Sequence, residues 1–142
     1  MMKRQGSAQW HGGIKEGNGS VSTESGVLNH TQYSFKTRFE QDKGTNPEEL
    51  IAAAHAGCFS MAFAAQLEKE GLKAEKIHTT ATVSLEKSTT GFSIPAIHLH
   101  VKAKIPNVNA EAFQIAANTA KENCPVSRLF NAEITMETSL EN

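Results

Sequence analysis

The stretch Thr45-Asn-Pro-Glu-Glu-Leu-Ile-Ala-Ala-Ala-His-Ala-Gly-Cys-Phe-Ser-Met-Ala-Phe63 decides how this chain folds. Its first residues carry a helix start. Asn46 can cap, Pro47 has the fixed φ and missing N–H that suit a first helical position, and Glu48 and Glu49 favour the positive end of the helix dipole. Glu49 stands three residues after Asn46, so its carboxylate can reach back to the Asn46 amide as half of a capping box. Beyond the first turn two apolar stripes run along the helix, Ile51/Ala54/Cys58/Met61/Ala65 and Phe59/Phe63/Leu67, and the periodicity carries it to about Glu70. A helix that is apolar nearly all round must be covered on several sides, which makes this one the central core helix.

On the N-terminal side, residues 7–41 read as a three-stranded meander: Ser7 to His11, Gly19 to Glu24 and Gln32 to Glu40, with turns at Gly12-Gly13 and Ser25-Gly26. In the third strand Tyr33, Phe35, Thr37 and Phe39 fall on one face, and Ser34, Lys36, Arg38 and Glu40 on the other. On pattern alone Arg38 is a solvated strand charge; a functional role requires its face to be covered, as a partner subunit would do.

On the C-terminal side, Gly71 stops the central helix and Ile77 to Lys87 alternates as a strand. Ser88-Thr-Thr-Gly91 is a turn. The next strand, Phe92 to Ile105, changes phase at Pro95, which predicts a bulge or bend there. A second helix is expected from an Asn109 cap to about Asn123. Pro125 disfavours helical geometry at Cys124, leaving that thiol at a boundary, at the N-terminal end of a short turn over Pro125 to Phe130. There a thiolate forms more easily, and the side chain should be more accessible than in a helix middle. Ala132 to Leu140 alternates as a last strand. Three strands, a long apolar helix, two strands, a helix and a strand make an α+β chain.

A chain of 142 residues with net charge -1 and interspersed charges is expected to form one domain over 1–142, with no electrostatic footprint for nucleic acid or an anionic membrane. Met1-Met-Lys-Arg-Gln-Gly has two basic residues without a following apolar run, so it does not read as a secretory signal. The most apolar window, residues 50–67, is interrupted by His55, Ser60 and Gln66 and reads as core, not membrane span. A cytoplasmic location is expected. In a reducing compartment the two cysteines are two free thiols or a redox pair, not a permanent bridge.

Cys58 sits among alanines in mid-helix, where a thiol usually behaves as a small hydrophobe and lacks help from a helix N-terminus, so a reactive Cys58 needs a cation brought to it. Two alternatives use His55. As a metal ligand with Cys58, His78, His98 and His100 it lacks any paired-ligand motif. As base of a Cys-His hydrolase it shares a helix face with Cys58 that points at the core, leaving little room for a substrate. A module that binds an apolar ligand, with inert cysteines, is a further alternative.

The motif Gly44-Thr-Asn-Pro-Glu-Glu-Leu-Ile-Ala-Ala-Ala-His-Ala-Gly-Cys58 with Phe-Ser-Met behind it, Cys124-Pro-Val-Ser, and Asn131-Ala-Glu-Ile-Thr135 together resemble the OsmC branch of the OsmC/Ohr family of thiol peroxidases. The resemblance spans essentially the whole chain, including Gly19-Ser-Val-Ser-Thr-Glu-Ser-Gly-Val-Leu-Asn29 and Thr37-Arg-Phe-Glu40. It implies an intertwined homodimer in which antiparallel sheets wrap around the long apolar helix and the active sites lie at the subunit interface. It further implies that Cys58 is the peroxidatic cysteine, Cys124 resolves it as a disulfide, and Arg38 and Glu49 activate Cys58. An organic hydroperoxide would be the substrate and an external dithiol, a lipoylated protein by resemblance, the reductant. Phe39, Ile51, Phe59 and Met61 would line the substrate site. No cofactor and no metal is implied.

Overall fold

In the computed structural model, which describes residues 1–142, the chain runs β1 (Gly6–His11), β2 (Asn18–Thr23), β3 (Thr31–Tyr33), α1 (Phe35–Phe39), α2 (Pro47–Lys69), β4 (Lys76–Ser88), β5 (Gly91–Lys104), α3 (Ala110–Asn123), α4 (Pro125–Leu129) and β6 (Glu133–Glu141). Its residues group into two units, Met1–Leu50 and Ile51–Asn142, and the division falls inside α2.

In the first unit β1, β2 and β3 form an antiparallel sheet in sequence order. The expected third strand to Glu40 is cut short. Ser34 Oγ accepts from the Thr37 N–H at 3.3 Å and Thr37 Oγ1 accepts from the Ser34 N–H at 2.8 Å, a reciprocal cap that turns the chain into α1. Phe35 and Phe39, four apart, are neighbours on a helix as well as same-face residues on a strand, and here their rings pack at 4.8 Å. Arg38 therefore lies on a helix, not on a strand. Gly44 then leads into α2 with φ 139, and a Cβ there would stand 2.6 Å from the Gln32 carbonyl oxygen, so the approach needs glycine.

In α2 the Asn46 side chain accepts from the Glu49 N–H at 2.8 Å, as expected of a cap. Gly71, with φ 72, ends the helix, and the Leu72 N–H bonds back to the Leu67 carbonyl at 2.9 Å.

The second unit holds the sheet β4-β5-β6. β4 and β5 pair antiparallel, and two residues of β5, Ile94 and Pro95, stand opposite Leu85 alone, the bulge that the phase change at Pro95 predicts. β5 and β6 pair parallel. This corrects the expectation of wholly antiparallel sheets: a strand reached through α3 and α4 returns at the same end as β5, and a parallel neighbour is the result. Leu99, Val101 and Ala103 of β5 bury one face against Phe59, Phe63 and Leu67 of α2 and Phe113, Ala116, Ala117 and Ala120 of α3.

Replacing Phe63, fully buried, by Ala should lower unfolding stability by about 3–5 kcal/mol. Val27→Ala, at a site 85% exposed, should change it by no more than about 0.5 kcal/mol. Chemical denaturation of the two variants beside wild type reads the difference.

Candidate active site

The buried face of α2 is the line His55, Phe59, Phe63 and Leu67, at four-residue spacing. Cys58 precedes Phe59 by one position, which turns it about 100° away from that line. It lies at the margin of the core, half-buried, while Met61 on the far side is 77% exposed. Of the two stripes expected for this helix, this unit buries only the aromatic one. Phe59 is inside the core and does not line a substrate site, whereas Ile51 and Met61 share the open side with Cys58.

Cys124 is both the C-cap of α3 and the N-cap of α4. Pro125 breaks the helix as its sequence position predicts, and Cys124 is fully buried, against the expectation of a more accessible thiol. The reason is that the α3–α4 corner folds down onto α2. Cys124 Sγ meets Cys58 Sγ at 2.9 Å. Burial pushes the Cys58 thiol above its ordinary value, the bond to Cys124 adds to the shift, and the Val126 N–H opposes it.

His55 is fully buried and reaches the same corner from α2. Its Nε2 meets Ser127 Oγ at 2.7 Å, its ring packs edge-on to Phe130 with centroids 5.7 Å apart, and its Nδ1 is buried without a partner. Burial lowers its pKa from the ordinary histidine value and so favours the neutral ring. The ring is thus engaged with Ser127, not poised as a base toward Cys58 or as a ligand with it. His98 and His100 lie on the other face of β5, where both meet Glu137 of β6 at 2.9 Å and His98 Nδ1 meets Thr135 Oγ1 at 2.6 Å. No three His, Cys, Asp or Glu side chains gather as a metal site would require.

In the first unit Arg38 is gripped by a carboxylate, and the carboxylate is that of Glu48. Arg38 Nε and Nη2 donate to one oxygen of Glu48 at 2.9 and 2.7 Å. Glu48 is nearly buried, and its other oxygen has no partner. Glu49, expected to hold Arg38, instead accepts from Thr45 Oγ1 at 2.7 Å and makes neither the arginine pair nor the return bond to Asn46. Adjacent helix residues point about 100° apart, and of the two carboxylates Glu48 is the one directed at Arg38. His55 and Ser127, each three residues from a cysteine, were in view in the sequence.

Two thiols in contact at a helix corner, on an α+β chain with a long apolar helix, define a two-cysteine protein of the OsmC-like fold. The family described as "OsmC-like protein" matches residues 40–139, and the chain belongs to the OsmC family. It is 50% identical over 139 residues to Peroxiredoxin OsmC of Escherichia coli K12, covering 98% of this chain and 97% of that protein. The organic hydroperoxide resistance protein OhrB of Bacillus subtilis is 27% identical over 124 residues, and its crystal structure superposes with TM-score 0.67 over 96% of this chain and 98% of that one. An OsmC-like protein of unknown function from Vibrio cholerae shares the fold at TM-score 0.77, with 17% identity over 97% of this chain and 99% of that one.

The lowered pKa of His55 sets a pH dependence. The unfolded chain binds the proton at about pH 6.5 while the folded chain resists it, so the stability tied to neutral His55 is full above that pH and lost as pH falls below it. Urea midpoints measured at pH 7.5 and 5.5 should fall more for wild type than for His55→Gln.

Proposed function

We propose that this protein is a thiol peroxidase that reduces organic hydroperoxides to alcohols, working as a cytoplasmic homodimer. The observation that carries this is the 2.9 Å approach of the two sulfurs, since a disulfide needs them in contact and inert thiols do not. The names of its relatives, a peroxiredoxin and organic hydroperoxide resistance proteins, lend support.

In the first step the Cys58 thiolate attacks the O–O bond. The sulfur takes one oxygen and becomes sulfenic acid, and the other oxygen leaves as the alcohol once protonated. Cys58 is the more accessible of the two thiols, which suits it to this step. In the second step Cys124 attacks the Cys58 sulfur, the S–O bond breaks, water leaves and the disulfide forms. An external dithiol, by family resemblance that of a lipoylated protein, returns both thiols. The open side of α2 with Ile51 and Met61 offers apolar surface for an organic substituent.

Because burial raises the Cys58 pKa, the thiolate needs a cation, and Arg38 is the one that family resemblance assigns. Its carboxylate partner in this role is Glu48, which fixes the guanidinium through two donors. Glu49 is left with the helix start. A second subunit would cover the face of α2 on which Met61, Ala54, Gly57 and Ala65 lie open.

Cys58→Ser should abolish hydroperoxide reduction, and Cys124→Ser should permit one oxidation and then stall with sulfenic or over-oxidised Cys58. Mass spectrometry after a single turnover reads this, and the first oxidised sulfur appearing on Cys124 would reverse the assignment. The pH profile of Cys58 alkylation should move upward in Arg38→Ala, less in Glu48→Gln, and not in Glu49→Gln. A profile moved by Glu49→Gln and not by Glu48→Gln would restore Glu49 to the site. Sedimentation should give about twice the 15.4 kDa chain mass at micromolar concentration, and a folded monomer there would remove the dimer from the proposal.

A further inference from the structure

The corner that carries Cys124 meets α2 through three polar groups. Two of them, the Cys124 sulfur and the Val126 N–H, meet Cys58. The third is Ser127 Oγ, 2.7 Å from His55 Nε2, a bond between residues that stand three before Cys58 and three after Cys124. On α4 the buried side chains belong to Ser127 and to its N-cap Cys124, while Arg128 and Leu129 face outward, Leu129 at 75% exposure. Val126, between Cys124 and Ser127, packs against the core, and the one side chain to side chain hydrogen bond that the segment makes to α2 besides the sulfur pair is His55–Ser127. His55 holds one hydrogen bond only: Nδ1 is buried and unpaired, and Phe130 meets the edge of the ring. A histidine taken wholly out of water with half its bonding capacity unused makes its one bond count.

We propose that His55 and Ser127 are a positioning pair for the resolving step: their hydrogen bond holds the α3–α4 corner against α2, keeping Cys124 within reach of the Cys58 sulfur while that sulfur changes oxidation state. The proposal rests on the assignment of Cys58 as first-attacked and Cys124 as resolving. The step at stake forms the S–S bond and expels a group X from Cys58: with X as hydroxide, the Cys124 proton leaves with it as water. If closure is slow, the sulfenic acid meets a second hydroperoxide, takes its oxygen and becomes sulfinic acid as a second alcohol leaves. The pair hydrogen-bonds to itself and not to either sulfur, so its loss should leave the first attack unchanged.

An aromatic disulfide reagent tests the positioning without peroxide. Bis(nitrobenzoate) disulfide should react first at the more accessible Cys58, releasing one thionitrobenzoate, and Cys124 should then displace the second by closing the disulfide. In the full-length protein, Ser127→Ala should keep the first phase within about twofold of wild type and slow the second about tenfold, the loss of one hydrogen bond at a reacting geometry. Ser127→Thr, which keeps the hydroxyl, should restore the second phase. With a graded dose of an organic hydroperoxide, Ser127→Ala should show sulfinic Cys58 at correspondingly lower dose than wild type. A second phase at wild-type rate in Ser127→Ala, or both phases slowed by the same factor, overturns the proposal. If Ser127→Ala lacks a cooperative melt, His55→Gln supplies the comparison, and a wild-type second phase there overturns it equally. Failure of the peroxidase assignment looks different: hydroperoxide leaves wild-type Cys58 unoxidised, while the two reagent phases still report whether the pair holds the corner.

Discussion

The direction of one buried stripe governs the molecule. Phe59, Phe63 and Leu67 are each fully buried at four-residue spacing, and they fix the rotation of α2 about its own axis. Every other side chain on the helix then has its place. His55, one further step back on the line, goes inside. Met61 goes outside, and Cys58 falls between, half-buried at the margin of the core and desolvated there. A helix rotated by one residue would bury the thiol or strand it in water. Met61, Ala54 and Ala65 are the apolar residues left on the outer side.

Topology supplies the second thiol. A strand parallel to β5 must be reached by a crossover, and α3 with α4 provides it over the face on which α2 lies. Cys124 stands where that crossover bends, at the break that Pro125 imposes. The same bend lets three groups of one corner face α2 together: the Cys124 sulfur, the Val126 N–H and the Ser127 hydroxyl. The parallel pairing and the sulfur contact are therefore one structural fact seen at two places.

What was legible in the sequence was what short-range chemistry decides. The Asn46 and Asn109 caps, the Gly71 stop, the β5 irregularity at Pro95 and the break at Cys124 each follow from a residue acting on its own backbone. The failures have physical causes. Phe35 and Phe39 satisfy two periods at once, and the reciprocal Ser34–Thr37 cap, which chooses between them, is hidden behind strand-like alternation. The exposure of Cys124 depended on how a corner docks, which no local pattern encodes. Between Glu48 and Glu49, adjacent and chemically identical, the difference is only phase, and it is Glu48 that meets Arg38.

The ranking of the two thiols on the proposed pathway follows from their surroundings and not from their motifs. A peroxide must bring an oxygen into line with a sulfur before any bond changes, and the fully buried Cys124 offers no such approach, whereas half-buried Cys58 does. Cys124 needs no approach from solvent, because its target is already 2.9 Å away. Accessibility on one sulfur and proximity on the other thus divide the chemistry in a fixed order. The remaining requirement is charge. Arg38 spends two donors on a single oxygen of Glu48, so the pair is fixed while the donors on Nη1 take no part in it. A guanidinium held by one edge keeps its charge and its remaining donors for an anion at the other.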